Sequence, residues 1–293
     1  MTLLNVEASR PSPMWALVRF LAATGRPVSA DRAQALLSPP CLGTDGKAFG
    51  QAVSTLEMLG MLTQASDGLL RLDKATSSIG PDDLASYTAL LRDRVFAPGL
   101  NDGLGETTGH VGARDLTRAL SWFASLDPAS VALNWADTEQ QQLLALKPEA
   151  GPALTNKERW PAFNDWAPAL GLAEPALLDN DRLTPDCTVA VRQTMQATWK
   201  TGDNVNAVEA LHALRDALPV LPGGAYSTAV GVASPGDNVA GPALSFALLR
   251  CADESYIELQ MPPDARQVIS IYDSGQPSFP RSCSSILICG GQP

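Results

Sequence analysis

One pattern recurs three times along the chain, near residues 13–75, 157–185 and 241–273: an apolar segment with helical spacing, then two short strand-like runs around a turn. In the first copy Pro13 opens a helix in which Met14, Leu17, Val18 and Leu21 recur at intervals of three and four, and Thr24-Gly25 closes it. Ser29 N-caps a second helix with Ala33, Leu36 and Leu37 facing inward, ended by Pro39-Pro40. A third runs from about Asp45 to Leu59, with Phe49, Val53, Leu56 and Leu59 as its buried stripe. Met61-Leu62-Thr63 and Leu70-Arg71-Leu72 then flank Ala65-Ser66-Asp67-Gly68, where Asp-Gly favours a hairpin turn. Helix, helix, helix, hairpin is the order of a winged helix-turn-helix.

In the second copy Trp160, Phe163 and Leu170 share a helical face, Gly171 stops the helix, and Pro168 demands a kink or an early end. Leu172 to Leu178 and Arg182-Leu183-Thr184 supply a hairpin around Asp179-Asn180-Asp181. In the third, Gly241-Pro242 opens a helix carrying Leu244, Ala247, Leu248 and Cys251. The run Ile257 to Met261 alternates, Pro262-Pro263-Asp264 turns the chain, and Gln267 to Tyr272 returns. The closing run Ile286 to Cys289 reads as one more strand, tucked against this unit because a free apolar edge invites aggregation. Between the first two copies, residues 81–97 and 113–126 read as helices, with Leu84, Tyr87, Leu91 and Val95 on one stripe and Leu116, Leu120, Phe123 and Leu126 on the other. The expected fold is therefore α+β, mainly α. Tandem winged helix-turn-helix units are joined by helical connectors, divided 1–75, 76–202 and 203–293. Strands never alternate singly with helices, so no parallel nucleotide-binding sheet is expected.

At 293 residues, 45% hydrophobic and 18% charged, the chain is long enough for two or three ordered domains. Its longest apolar helix candidate, Met14 to Ala23, falls short of the ~18 residues a bilayer span needs. Residues 1–5 lack the pattern of a secretory signal, so the expectation is a soluble cytoplasmic protein with no membrane partner. The net charge of −10 opposes nucleic-acid binding, but it is unevenly spread. Residues 1–75 carry seven basic and six acidic side chains, a balance of +1, whereas 76–155 stand at −5, 156–202 at −1 and 203–293 at −5. Phosphate neutralisation drives DNA affinity, so a DNA contact is sought first in the N-terminal unit.

There Lys47, Gln51 and Ser54 lie opposite the third helix's buried stripe and are candidate base or phosphate contacts, with Arg71 and Lys74 as wing contacts. The plainer alternative is a solvated amphipathic face, and one Lys is thin for a recognition helix. The acidic 203–293 segment reads as a protein-docking unit.

No residue set announces a reaction. Five cysteines are scattered without a CxxC pair and away from His110 and His212, so no catalytic, metal or cofactor site is expected. The glycine-rich stretch Pro98 to Gly109 lacks the Gly-Lys-Ser/Thr ending of a phosphate loop and reads as a flexible surface loop. Trp160, Phe163 and Trp166 are of the type that stacks bases, but with little positive charge around them core packing is favoured. Cys187 reads as a packed thiol, and the pairs Asp82-Asp83 and Asp253-Glu254 as ordinary turn or helix-start carboxylates.

Four stretches resemble the DpdG-like proteins: Gly112 to Pro128 (GARDLTRALSWFASLDP), Phe163-Asn-Asp-Trp running to Leu170-Gly171, Thr184 to Ala190 (TPDCTVA) and Pro219 to Tyr226 (PVLPGGAY). That family is encoded in bacterial clusters that place 7-deazaguanine derivatives in DNA and restrict unmodified invaders. The resemblance implies a place beside DNA-modifying and DNA-cleaving proteins and carries no catalytic residues with it. The expectation is a non-catalytic DNA-binding or adaptor subunit of a DNA-modification or phage-defence system, with double-stranded DNA and proteins of the same system as partners. The alternatives are a winged-helix scaffold that docks proteins only, a transcription regulator, and an unrecognised nuclease or hydrolase.

Overall fold

The computed structural model describes residues 2–4, 9–42, 46–106, 112–130, 133–273 and 280–290, which form two compact units. The first comprises residues 1–102, 110–116 and 156–170, and the second residues 103–109, 117–155 and 171–293.

In the first unit α1 (Pro11–Thr24) starts with Pro11 in its first turn and ends at Gly25, whose φ of +67° is open to glycine at low cost. Met14, Leu17, Val18 and Leu21 are all buried, each contributing roughly 1.5–3 kcal/mol relative to exposure. The short strand β1 (Val28–Ser29) leads into α2 (Ala30–Leu37), where the Ser29 hydroxyl accepts from the Arg32 N–H. α2 buries only Ala33; Leu36, expected inside, is 54% exposed and faces solvent at the mouth of a cleft with Arg32. After a 3-10 turn, Pro40–Leu42, comes α3 (Lys47–Met58), with Phe49, Val53 and Leu56 inward. Asp45, the expected start, lies outside the described residues. Strands β2 (Leu62–Gln64) and β3 (Leu69–Leu72) pair antiparallel around the expected Asp67-Gly68 turn, where Gly68 has φ +73° and donates to the Ala65 carbonyl. β1 adds to the other side of β3, giving the order β1-β3-β2.

The chain continues through α4 (Lys74–Ser77), α5 (Leu84–Val95) and α6 (Pro98–Asn101). α5 buries Tyr87, Leu91 and Val95 as expected, while Leu84, its first residue, stays half exposed. α7 (Arg114–Phe123) is buried nearly all round, Trp122 included, and passes from the first unit to the second after Leu116. α8 (Trp135–Ala145) follows, then α9 (Arg159–Ala169). Pro168 lies in the last turn of α9, which ends at once. α9 returns to the first unit, where the buried Trp166 indole N–H donates to the Ser9 carbonyl at 2.9 Å.

In the second unit β4 (Glu174–Ala176) and β5 (Asp179–Thr184) form the expected hairpin, but the chain reverses at Leu177-Leu178, not at Asp179-Asn180-Asp181. Pro175, which has no N–H to donate, stands at the register shift that moves the turn. The helix and hairpin read together from 157–185 thus fall in different compact units. Next come α10 (Thr188–Thr198), β6 (Asn204–Asn206), α11 (Ala207–Ala217), α12 (Ala225–Ala229), α13 (Pro242–Asp253), β7 (Ile257–Gln260), β8 (Ile269–Ile271), β9 (Arg281–Cys283) and β10 (Ser285–Ile288). The runs at 257–261 and 267–272 do not pair with each other. β7 pairs with β10, setting Ile257 opposite Ile288 and Leu259 opposite Ile286, and β8 pairs with β9. The closing run is the better partner for β7 because buried Ile286 and Ile288 match its apolar face. β6 completes a sheet of order β6-β10-β7.

The succession α10, β6, α11, α13, β7, β10 therefore repeats the succession α1, β1, α2, α3, β2, β3, and in both sheets the last strand lies in the middle. The four-residue turn of the first unit is replaced in the second by residues 261–284, which carry the β8–β9 hairpin. The chain is an α+β protein with small sheets, and every strand ladder among the described residues is antiparallel. No described helix is long and apolar enough to cross a membrane.

The buried Arg215 of α11 organises the loops of this second copy. Its Nε donates to the Pro222 carbonyl, Nη1 to Asp237, and Nη2 to Gly236 and Val239, all at 2.8–3.1 Å. Gly223 leaves room for that guanidinium, since a Cβ there would lie 2.7 Å from Cζ.

Candidate nucleic-acid interface

Lys47, Gln51 and Ser54 follow one another at positions i, i+4 and i+7 of α3, the spacing of a single helix face. Lys47 and Ser54 are exposed and Gln51 is half-buried. The inner face is fixed by apolar burial and by Thr55, whose hydroxyl donates to the Gln51 carbonyl at 2.7 Å and is 2.9 Å from the Ser9 hydroxyl. Between the polar positions the outer face shows Ala48 and Gly50, also exposed. Such small side chains leave a low helix surface that another molecule can approach closely. The one exposed carboxylate on α3, Glu57, accepts from the Gln64 N–H at 2.9 Å.

Arg71 is exposed on β3, opposite Thr63 on β2, and its guanidinium is 3.4 Å from Asp67 in the hairpin turn. Lys74 is the exposed first residue of α4. The preceding Asp73 caps that helix and pairs with Arg94 at 2.8 Å. Burial pushes the Asp73 carboxyl up, but hydrogen bonds from Thr76 and Ala75 together with Arg94 outweigh it and hold the carboxyl below its ordinary value. The five predicted positions thus divide between one face of α3 and the β3–α4 segment. Two cations absent from that set share surroundings with Arg71. Arg26 and Arg71 line one cleft of about 360 Å³, and Arg26 and Arg32 line a second of about 310 Å³. The signal available in sequence was their position around Pro27-Val28-Ser29, between a helix stop and a helix cap.

The equivalent helix of the second copy offers no such face. α13 exposes only Asp253 among its residues. Its single cation, Arg250, is held by Glu174 at 2.6 Å, by Glu254 at 2.9 Å and by the buried Asp186. Arg192 pairs with Glu254 at 3.1 Å and stacks on Tyr256, 4.6 Å from the ring centroid.

The remaining candidates have structural roles. Trp160, Phe163 and Trp166 are buried, as core packing requires and base stacking forbids. Cys187 is buried with its thiol toward the Ala243 carbonyl, and burial together with Asp186 pushes that thiol up. His212 is exposed, and His110 lies outside the described residues. Asp82 pairs with Arg19 at 2.7 Å, and Asp83 caps α5 through the Ser86 N–H. The described part of the glycine-rich stretch is pinned rather than free. Leu104 is buried, and its carbonyl and that of Glu106 accept from the buried Arg118 guanidinium. Residues 107–109 of that stretch lie outside the described residues. Among the described residues no group of three or more His, Cys, Asp or Glu is placed to hold a metal ion.

Fold and surface together define an α+β protein of two compact units, built on a repeated arrangement of helices around a three-stranded antiparallel sheet. The family model described as DpdG-like matches residues 1–265, and the chain belongs to the DpdG-like family. No curated protein and no solved structure matches the chain.

Proposed function

We propose that the chain is a non-catalytic DNA-binding or adaptor subunit of a bacterial DNA-modification or phage-defence system, the context that its DpdG-like family suggests. In this reading the segment α1 to β3 is a winged helix-turn-helix. α3 is its recognition helix, with Lys47, Gln51 and Ser54 toward the base edges, while Arg71 on the β2–β3 wing and Lys74 at the start of α4 reach the phosphates. The acidic remainder engages protein partners of the same system.

The observation that carries the reading is the contrast between α3 and α13. The two helices hold the same place in one topology, yet α3 exposes Lys47, Ala48, Gly50, Ser54 and Glu57 while α13 exposes only Asp253. On this reading a contact with DNA belongs to the first copy, and packing to the second. The test is a titration with duplex DNA at several salt concentrations. Binding should weaken as salt rises, with a log–log slope of about −0.9 per phosphate contact and only a few contacts in total. The combination Lys47→Glu, Arg71→Glu and Lys74→Glu should reduce it strongly. Unchanged binding by that variant would move the DNA surface elsewhere.

A second reading, a winged-helix scaffold that docks proteins only, is favoured by the net charge of −10 and by the presence of one lysine on α3. Absence of duplex binding by the wild-type chain at low salt selects it.

A further inference from the structure

Arg26, Arg32 and Arg71 come from three different elements, and none of them was required by the helix-face argument. Arg26 follows the C-cap of α1, Arg32 lies in the first turn of α2, and Arg71 is on β3. All three are exposed. The two clefts they line have Arg26 and Pro27 in common, and each is bordered by residues of the β1–β3 pair, Leu70 and Arg71 in one and Val28, Ser29 and Leu69 in the other. Backbone pairing fixes this layout. Val28 is opposite Leu70 and Ser29 opposite Leu69, and the Ala30 N–H donates to the Gly68 carbonyl at 3.1 Å. Arg32 thereby lies two residues beyond the helix residue bonded to the β2–β3 turn, and Arg71 lies two residues beyond Leu69 on β3.

The electrostatics of this track are one-sided. No described carboxylate lines either cleft. Neither Arg26 nor Arg32 has an ion-pair partner among the described residues, and Arg71 has only the exposed, 3.4 Å pairing with Asp67. The guanidinium is the side chain whose planar fork matches a phosphate with two parallel hydrogen bonds. Like charges gathered along a recess repel one another, and an anion bridging them removes that repulsion.

The geometry points to a phosphate-binding track formed by Arg32, Arg26 and Arg71 in turn, its ligand being the phosphodiester groups of a nucleic-acid backbone that passes the α1–β1 side of the sheet. The choice of a nucleic-acid backbone rests on the DNA-binding reading above; the affinity for phosphate oxyanions does not. The track is separate from the Lys47, Gln51 and Ser54 face, which it complements by fixing orientation where α3 would read sequence.

The test uses the full chain with two probes, a labelled duplex oligonucleotide and inorganic tripolyphosphate. Arg26→Gln with Arg32→Gln touches no paired residue, so the melting temperature should stay at the wild-type value. Duplex affinity should fall roughly tenfold or more, and the log–log salt slope should shrink by about 1.8, the share of two phosphate contacts. Asp67→Asn, which frees Arg71, should tighten binding several-fold. Loss of tripolyphosphate binding in the double variant with duplex binding unchanged would keep the track and make its source a free phosphate ligand. Wild-type affinity for both probes in a folded double variant, or binding of neither probe by the wild type, would overturn it. A loss produced by the Arg26/Arg32 variant but not by Lys47→Glu with Gln51→Ala and Ser54→Ala would retain the track while rejecting α3 as the recognition helix, so the two readings fail separately.

Discussion

The Asp73 carboxylate lies 2.8 Å from Arg94 Nη2 on α5 while it also accepts from the Ala75 and Thr76 N–H groups at the start of α4. One side chain thus joins the end of β3 to the helix that follows it. Both partners are partly shielded, 24% and 32% exposed, so the pair is stronger than an open surface bridge and weaker than a buried one. Asp73→Ala should cost about 1–2 kcal/mol, the loss of a cap together with a charged hydrogen bond. Asp73→Asn keeps a capping oxygen and isolates the charge. The folded state holds this carboxyl below its ordinary value near 3.8, so the charge stabilises above that value and the benefit disappears as pH falls through the lowered one. Melting temperatures of wild type and Asp73→Asn should therefore differ at neutral pH and converge as the pH falls below 3.8, and a gap that does not narrow on acidification would count against the ion pair.

Arg215→Lys should destabilise the second unit by roughly 2–4 kcal/mol in chemical denaturation, because an ammonium cannot reach the four carbonyls that the guanidinium spans and leaves some of them buried and unpaired. Gly223→Ala should act in the same direction by driving a methyl group into that guanidinium. A neutral result for both would remove Arg215 as the organiser of these loops.

Thiol chemistry should divide the five cysteines sharply. Cys41 and Cys289 are exposed, whereas Cys187, Cys251 and Cys283 are buried. Burial pushes the Cys251 thiol up to about 12 and the Cys187 thiol upward too, so both stay protonated and unreactive at pH 8, where only thiolates attack. A disulfide reagent should titrate two thiols in native protein and all five after denaturation. Rapid native labelling of Cys187 would show that its pocket opens.

The contrast between the two third helices is also directly measurable. Lys47→Glu, at an exposed position, should weaken duplex binding several-fold at low salt in a protein that still unfolds cooperatively. Asp253→Lys, which adds the favourable charge at the exposed end of α13, should leave binding as it was. Equal effects from the two variants would make the response a matter of net charge alone.

Helix stripes were the most legible part of the sequence. Met14, Leu17, Val18 and Leu21, and again Leu244, Ala247, Leu248 and Cys251, are buried as their spacing requires, and Gly25, Gly60 and Gly171 take the left-handed conformations of chain stops. The Asp67-Gly68 turn was readable for the same local reason. Pairing between distant strands was not. β7 has a nearer candidate in 267–272 yet joins β10, because the choice depends on which apolar faces meet after folding and not on the separation along the chain. The Arg26, Arg32 and Arg71 track was hidden likewise, since β1 is two residues long and only its pairing with β3 gathers these cations.

The distance between Ser9 and Trp166, 157 residues apart in the chain and joined by a buried hydrogen bond, sets an order of events on the ribosome. α1 and the β2–β3 hairpin emerge early, with their own short-range contacts available to them. The flank that α9 covers has to wait until more than half of the polypeptide has been made. A nascent chain halted before residue 170 presents apolar surface with nothing to cover it, the kind of product that chaperones and proteases act upon. Expression of the α1–β3 segment on its own should accordingly call for α9 supplied in trans or grafted onto the fragment.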